Sequence, residues 1–296
     1  MTKQSLAKPF IKWAGGKQKV LSQLEQYLPN ELKEGKCHTY IEPFVGGGAM
    51  LFYVLQRYSI DRAIISDTNS DLITTFLAVK QNVDELISRL KELQEHYYSL
   101  EEAEKSIFYY QMRAKFNQKK DASIELAAQF IFLNKTCFNG LYRVNKNGEF
   151  NVPIGRYTKP VICDEENLRL CSVVLRNVEI YNQSYEKNSE WFASDVFCFF
   201  DPPYRPLNAS KSFTKYQAYG FSEDDQIALA AFYSEMNRQG SKLMLCNSDP
   251  TSMHPEDDFF DKNYQGCNIH RIQANRSINS NPSRRGKVSE LVITNY

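Results

Sequence analysis

The run Asp201-Pro202-Pro203-Tyr204 puts a carboxylate, two rigid imino acids and a phenol ring in immediate succession, directly after the apolar stretch VFCFF. A carboxylate and the carbonyl of Pro202 can together accept both hydrogens of a planar amine. An exocyclic amine on adenine is a poor nucleophile, because its lone pair is delocalised into the ring. Holding both hydrogens lets the nitrogen move toward tetrahedral geometry and aim the lone pair outward, so orientation matters more than a strong base. Tyr204 offers a face on which an extruded base can stack. Two prolines end a strand and remove backbone donors from its exit. They also stiffen a loop at the carboxyl end of a sheet strand, where open α/β folds bind ligands. An ordinary turn with a polar start is the bland alternative, and it leaves the four specific residues after a buried strand unexplained.

A second chemical signal is Ile41-Glu42-Pro43-Phe44-Val45-Gly46-Gly47-Gly48, lying between a strand-like and a helix-like segment. Glycines there let backbone approach a ligand closely, although tight strand-to-helix turns use glycine for structural reasons too. Asp67 ends the next strand-like run, DRAIISD. A carboxylate at that place can accept both ribose hydroxyls of a nucleoside; taken alone, it serves equally as a turn acid or helix N-cap. No G-x-x-x-x-G-K-[ST] loop accompanies it, so a nucleoside without phosphates fits better than a nucleotide. S-adenosylmethionine is one.

The elements that must position these residues alternate in type. TYIEPF, glycine turn, AMLFYVLQRY and DRAIISD form a strand, turn, helix, strand series that begins a parallel α/β unit. From about residue 71 to 135 the periodicity is helical, as in VDELISRLKELQEHY and ASIELAAQFIFLNK. Residues 136–164 are irregular, rich in Asn, Gly and aromatics, and read as a turn-rich or hairpin region. Strand-like runs return as NVEIYNQ, DVFCFFD, SKLMLCNSD and SELVITNY, with DDQIALAAFYSEMNRQG a helix stopped by glycine. VFCFF is continuously apolar, as expected of a strand buried on both faces. The expected organisation is an α/β domain, 1–75 and 165–296, interrupted by a mostly helical insertion, 76–164.

Composition excludes several classes. The 296 residues are 42% hydrophobic and 24% charged, ordinary for a globular protein. No apolar run is long enough to cross a bilayer, and MTKQSLAKPFIKW lacks the pattern of a secretory signal, so a cytoplasmic protein without membrane contact is expected. The seven cysteines show no C-x-x-C pair and the four histidines stand apart. That argues for reduced thiols, with neither a disulfide frame nor a metal site. Net charge is only +1, but it is unevenly spread. Lys3, Lys8, Lys12, Lys17 and Lys19 give residues 3–19 a local +5. Lys135, Arg143, Lys146, Arg156 and Lys159 against Glu149 give 135–159 a local +4. Arg271, Arg276, Arg284, Arg285 and Lys287 give 271–287 another +5. Any one such stretch is most simply a solvated loop; three of them that also carry motifs suggest a positive face for a polyanion.

Three motifs occur in a fixed order: KWAGGK at Lys12–Lys17, EPFVGGG at Glu42–Gly48, and DPPY at Asp201–Tyr204. Together they resemble the Dam-like family of DNA adenine-N6 methyltransferases, in the subgroup whose target-recognition region lies between the glycine motif and DPPY. The resemblance runs essentially end to end and is closest to GATC-methylating members of restriction-modification systems. It implies a Rossmann-like S-adenosylmethionine-dependent sheet with helices on both faces, plus an inserted recognition domain with a hairpin. It implies that Trp13, Lys17, Glu42, Pro43, Phe44, Gly46, Gly48 and Asp67 line the S-adenosyl-L-methionine site. Asp201 is the catalytic acid beside that site, acting with Pro202, Pro203 and Tyr204. Without the resemblance, Trp13 reads as a core aromatic and Lys17 as a surface charge. The segment Asn139-Gly140-Leu141-Tyr142-Arg143, followed by FNVP and Gly155-Arg156-Tyr157, is similar to the family's recognition hairpin. By that match Asn139 contacts DNA near the displaced base and Leu141 wedges into the stack. Arg143 reads a guanine edge through paired hydrogen bonds, with Lys12, Arg156 and Tyr157 as further DNA contacts. Arg284, Arg285 and Lys287 are candidates for phosphate contacts or loop ordering. Gln183-Ser184-Tyr185 stands where relatives often carry an acid. The implied partners are double-stranded DNA and, as in restriction-modification systems, a cognate restriction endonuclease, with the enzyme a monomer or weak dimer.

Two rival functions are distinguishable. Methyltransferases of RNA or protein amines more often carry Asn before the two prolines and lack the basic inserted hairpin. A nucleic-acid-binding protein that has lost catalysis would not need to keep the cofactor and amine-binding positions intact.

Overall fold

The computed structural model describes residues 5–118, 123–206, 221–275 and 287–296. Lys3, Arg276, Arg284 and Arg285 lie outside the described residues, and Lys287 is described by its backbone alone. The chain forms two units, each assembled from three stretches: 17–45, 57–66 and 183–296 make one, and 1–16, 46–56 and 67–182 the other.

With elements numbered along the chain, the first of these units holds two short helices, α1 (Leu21–Leu24) and α2 (Asn30–Lys33), before its sheet begins. The strands are β1 (Thr39–Glu42), β2 (Arg62–Asp67), β4 (Val196–Phe200), β5 (Lys242–Ser248), β6 (Asn268–Asn275) and β7 (Lys287–Thr294). Their order is β2-β1-β4-β5-β7-β6. The first four run parallel, with Ile41 opposite Ile64 on one side and Cys198 on the other, and Phe199 opposite Met244. β7 is antiparallel to both β5 and β6. All five residues of VFCFF are buried, as expected of a central parallel strand with both faces covered. Helix α9 (Glu223–Arg238) opens with a capping box between Ser222 and Asp225. It packs on β5, with the Tyr233 hydroxyl donating to the carbonyl of Leu243 at 3.0 Å. A five-residue helix, α10 (Phe259–Asn263), follows β5.

The strand order reverses between β1 and β4. The chain leaves β1 for β2 on one side and later returns as β4 on the other. Loops at the carboxyl ends of such neighbouring parallel strands diverge and leave a crevice. Those two loops are Pro43-Phe44-Val45 and the segment headed by Asp201.

The other unit is mostly helical. It contains α3 (Ala49–Leu55), α4 (Ser70–Gln81), α5 (Val83–Ser99), α6 (Glu102–Asn117), α7 (Ile124–Thr136), α8 (Glu165–Leu175) and the strand β3 (Val178–Asn182). Helix α7 is buried almost all round, as IELAAQFIFLNKT has no polar face, and Ser123 caps its first turn. The helices expected over 71–135 are therefore present. The hairpin expected after them is two isolated antiparallel bridges, Cys137 with Ile154 and Val144 with Phe150, around a tight turn. At the turn the Asn145 side chain accepts from the backbone of Asn147 and Glu149, and Gly148 takes a positive φ.

The chain thus has the expected Rossmann-like sheet, flanking helices and inserted helical segment. Cysteines 37, 137, 171, 198 and 246 are buried free thiols; 163 and 267 are half-buried. Among the described residues no helix is long and apolar enough to cross a membrane, and no group of three or more side chains is gathered to hold a metal.

Candidate active site

In the helical unit the glycine turn and Asp67 form a cradle. Gly46 and Gly48 have φ of 48° and 72°, a region that side chains rarely adopt. Glycine is also required sterically at Gly46, where an added Cβ would come within 2.7 Å of the Trp13 ring. At Gly48 it would meet Phe52 and Phe76 at 3.3 Å. Trp13 is half-buried against this turn and is no core residue.

Asp67 accepts the Gly46 N–H at 3.2 Å on one oxygen and the Asn69 N–H at 3.0 Å on the other. The bland reading is thus partly realised, since Asp67 does hold a turn. The helix cap falls to Asn69 instead, whose side chain accepts from Asp71 and Leu72. Burial raises the pKa of Asp67, against the pull of the backbone N–H groups of Asn69, Gly46 and Thr68. A carboxylate has about four lone-pair sites, so the three backbone donors leave acceptor capacity for a ribose hydroxyl. This donor set fits a phosphate-free nucleoside.

In the sheet unit, Glu42 ends β1 buried and accepts the Tyr40 hydroxyl at 2.6 Å. Pro43 is buried, and Phe44 is half-buried with its ring 5.4 Å from that of Tyr185 and 5.8 Å from that of Phe221. Lys17 begins a single 3-10 turn, Lys17–Lys19, and is only 3% exposed. Its ammonium lies 2.6 Å from one oxygen of Asp201 and 2.7 Å from the other. Burial alone would lower the pKa of Lys17, but Asp201, with help from Cys246 and Glu290, holds it above its ordinary value. Burial pushes the Asp201 carboxyl upward, with Lys17 opposing and Glu290 adding to the rise. The pair is a buried cation on a carboxylate whose pKa sits above the usual range.

The rest of the DPPY loop is held from behind. The Gln226 side chain donates to the Pro203 carbonyl at 2.9 Å and accepts from Asn247 at 3.1 Å. The Asn247 side chain accepts the Arg205 N–H at 3.0 Å. The Arg205 guanidinium pairs with Asp257 at 2.7 Å and Glu223 at 3.1 Å, 4.4 Å from the Phe259 ring centre. The Tyr204 hydroxyl donates to Glu290 at 2.9 Å, and the Lys17 ammonium lies 4.8 Å from its ring centre. Pro202 is buried and Pro203 exposed.

The segment expected to read DNA, residues 139–157, belongs to the helical unit. Asn139 is exposed at φ 56°, the one described non-glycine residue with positive φ. Beside it Phe138 is 46% exposed, whereas Leu141 is half-buried. Arg143 is exposed and held by Asn151, through its side-chain oxygen at 2.7 Å and its carbonyl at 3.3 Å. The exposed Lys12 donates to the Tyr157 hydroxyl at 3.1 Å, and Arg156 is exposed next to it. A Cβ on Gly140 would fall 2.3 Å from the Lys12 stem.

Several structural side chains escaped the sequence reading. Asn134, buried at the end of α7, accepts the Lys12 N–H and donates to the carbonyls of Lys12 and Gly140, tying KWAGGK to the recognition segment. Tyr142 stacks on Trp13 with ring centres 5.6 Å apart and donates to Asp71 at 2.9 Å. Tyr185 and Phe221 build the aromatic cluster around Phe44. Of these, Tyr142 and Tyr185 lay in segments the resemblance singles out, Asn139–Arg143 and Gln183–Tyr185, whereas Asn134 and Phe221 had no local signal.

Comparison with known proteins places the chain in a family. Residues 13–278 match the model of the D12 class N6 adenine-specific DNA methyltransferases. The chain is 51% identical over 292 residues to the type II methyltransferase M.MjaIII of Methanocaldococcus jannaschii, covering 98% of this chain and 99% of that one. It is 34% identical over 294 residues to the type II methyltransferase M1.LlaDCHI of Lactococcus lactis, covering 98% and 95%. It is 35% identical over 285 residues to the DNA adenine methylase of Escherichia coli K12, covering 96% and 93%. The chain belongs to the D12 class of N6 adenine-specific DNA methyltransferases, enzymes that use S-adenosylmethionine.

Proposed function

We propose that this methyltransferase acts on the adenine of GATC in duplex DNA, after the base has swung out of the helix. The observation that carries the chemical part is the Asp201–Lys17 pair at the carboxyl end of β4. The Lys17 ammonium favours the ionised form of this half-buried carboxylate, and Asp201 retains lone pairs for an amine. The Asp201 carboxylate and the Pro202 carbonyl accept the two N6 hydrogens, while Pro203 stiffens the loop and Tyr204 stacks on the base. S-adenosyl-L-methionine supplies an electrophilic methyl group on a sulfonium. On transfer the sulfur–methyl bond would break to leave the neutral thioether S-adenosylhomocysteine, and as the nitrogen gains its methyl it loses one proton, which Asp201 takes and passes to solvent. Trp13, Gly46, Gly48 and Asp67 hold the nucleoside, with Glu42, Pro43 and Phe44 shaping the β1 end.

Residues 76–164 serve as the target-recognition domain, and 1–75 with 165–296 as the catalytic, cofactor-binding domain. Arg143 reads a guanine edge, with Lys12 approaching a guanine of the site. Asn139 contacts the DNA beside the displaced base, where Leu141 and the exposed Phe138 supply the apolar wedge. Arg156 and Tyr157 complete the contacts. Base flipping costs a few kcal/mol, which these duplex contacts offset. The type II naming of the archaeal and lactococcal relatives supports a restriction-modification role with a cognate endonuclease. The enzyme works as a monomer or weak dimer in the cytoplasm.

The test is to incubate unmethylated genomic DNA with the enzyme and map every modified base. N6-methyladenine confined to GATC is expected; a different consensus would overturn the assigned site, and methylation of cytosine would overturn the assigned chemistry.

A further inference from the structure

We propose that Tyr142 is a positioning residue that couples DNA engagement by the recognition segment to the grip of the Asp67 cradle on the cofactor. The proposal rests on the functional reading above, in which duplex DNA occupies the segment and S-adenosylmethionine the cradle.

The contacts form a closed circuit. The Tyr142 ring stacks on Trp13 at an interplanar angle of 22°. Trp13 covers Gly46, whose N–H binds Asp67. Asp67 binds the N–H of Asn69, and Asn69 caps the helix α4 in whose first turn Asp71 lies buried. Asp71 accepts the Tyr142 hydroxyl and closes the loop. Burial and the Asp71 carboxylate push the Tyr142 phenol well above its ordinary pKa, so it remains a donor at working pH.

The opposite edge of Tyr142 belongs to recognition. Its ring lies 5.5 Å from that of Phe130 on α7 and 5.8 Å from that of Phe150 across the turn. Its chain neighbour is Arg143, held only at the surface by Asn151. Reading a base would draw the guanidinium away from Asn151, and rearrangement of the segment on DNA would reach Tyr142 through the peptide bond it shares with Arg143. A side chain pinned to Trp13 and to α4 passes it to the two walls of the cradle.

Coupling of this kind is reciprocal by thermodynamic necessity. The measurement is calorimetric affinity for S-adenosylhomocysteine, which cannot react, with and without a duplex that the full-length enzyme methylates. For the wild type the duplex is expected to tighten binding by at least about 5-fold, the lower end of ordinary allosteric coupling, with the same factor read on DNA affinity. Tyr142→Phe keeps the ring and loses only the hydroxyl, with its bond to Asp71 and its contact with the Asn69 side chain at the start of α4. It should leave both separate affinities within about 2-fold while the coupling factor falls by about 5-fold, the worth of one hydrogen bond. Tyr142→Leu also removes the stack and should bring the factor to about one. Should the leucine variant fail to fold, the phenylalanine variant decides alone. A wild type that binds both ligands independently would overturn the coupling, as would a factor unchanged in Tyr142→Phe. A wild type that binds neither S-adenosylhomocysteine nor duplex would overturn the functional reading itself.

Discussion

At Asp201 desolvation raises the carboxyl pKa and the Lys17 ammonium 2.6 Å away opposes the rise. The carboxylate must be ionised to accept amine hydrogens, so activity is lost as pH falls through the raised Asp201 pKa. Replacing Lys17 by Met removes the opposing cation and raises that pKa further. The acid limb of the kcat–pH profile should therefore move to higher pH, by about 1–3 units; an unmoved limb would show that Lys17 does not tune Asp201. Asp67 carries a separate expectation. Asp67→Ala loses a charged acceptor for the nucleoside, so S-adenosylhomocysteine binding should weaken by about 1.5–3 kcal/mol in calorimetry. Little of this was legible locally. Lys17 and Asp201 are 184 positions apart, and a lysine in a glycine-rich turn reads as surface charge until the fold buries it. Only the family resemblance placed it near the cofactor.

At the scale of elements, the joint between KWAGGK and the recognition segment depends on Asn134 at the end of α7. Asn134→Ala would strip three hydrogen bonds and leave buried backbone groups unsatisfied. A loss of about 1–3 kcal/mol in denaturant melts is expected, with weaker duplex binding; unchanged melts and binding would rule out a structural joint there. The strands that flank the site were readable because their patterns are local. VFCFF is apolar throughout because both faces of central β4 are buried, and β1, β2, β5 and β7 carry similar runs. β6 was not readable: in Asn268–Gln273 only Ile272 is buried, and main-chain pairing to β7 defines the strand. The recognition hairpin was legible as a turn-rich region from its Asn and Gly content. Its two isolated bridges were not, because cross-chain pairing there depends on α7 and α6, where Asn117 brackets the Phe150 backbone with both a donor and an acceptor.

For the molecule as a whole, a net charge of +1 conceals basic stretches at 3–19, 135–159 and 271–287. Duplex affinity should fall steeply with salt despite near-neutrality. Arg156→Ala should flatten the slope of log K against log salt by about one, whereas Arg143→Ala should relax base preference at one position at a cost of about 1–3 kcal/mol. Equal losses on all sequences in the Arg143 variant would make it a phosphate contact instead. All these expectations presuppose one event, the presentation of an adenine amine by the loop at the end of β4. The most direct measurement is transfer of labelled methyl groups to unmethylated duplex DNA by wild type and Asp201→Ala, with duplex binding measured in parallel. The wild type should produce labelled N6-methyladenine, and the variant should bind the duplex yet transfer at background. Sustained transfer by Asp201→Ala would contradict the role given to that carboxylate.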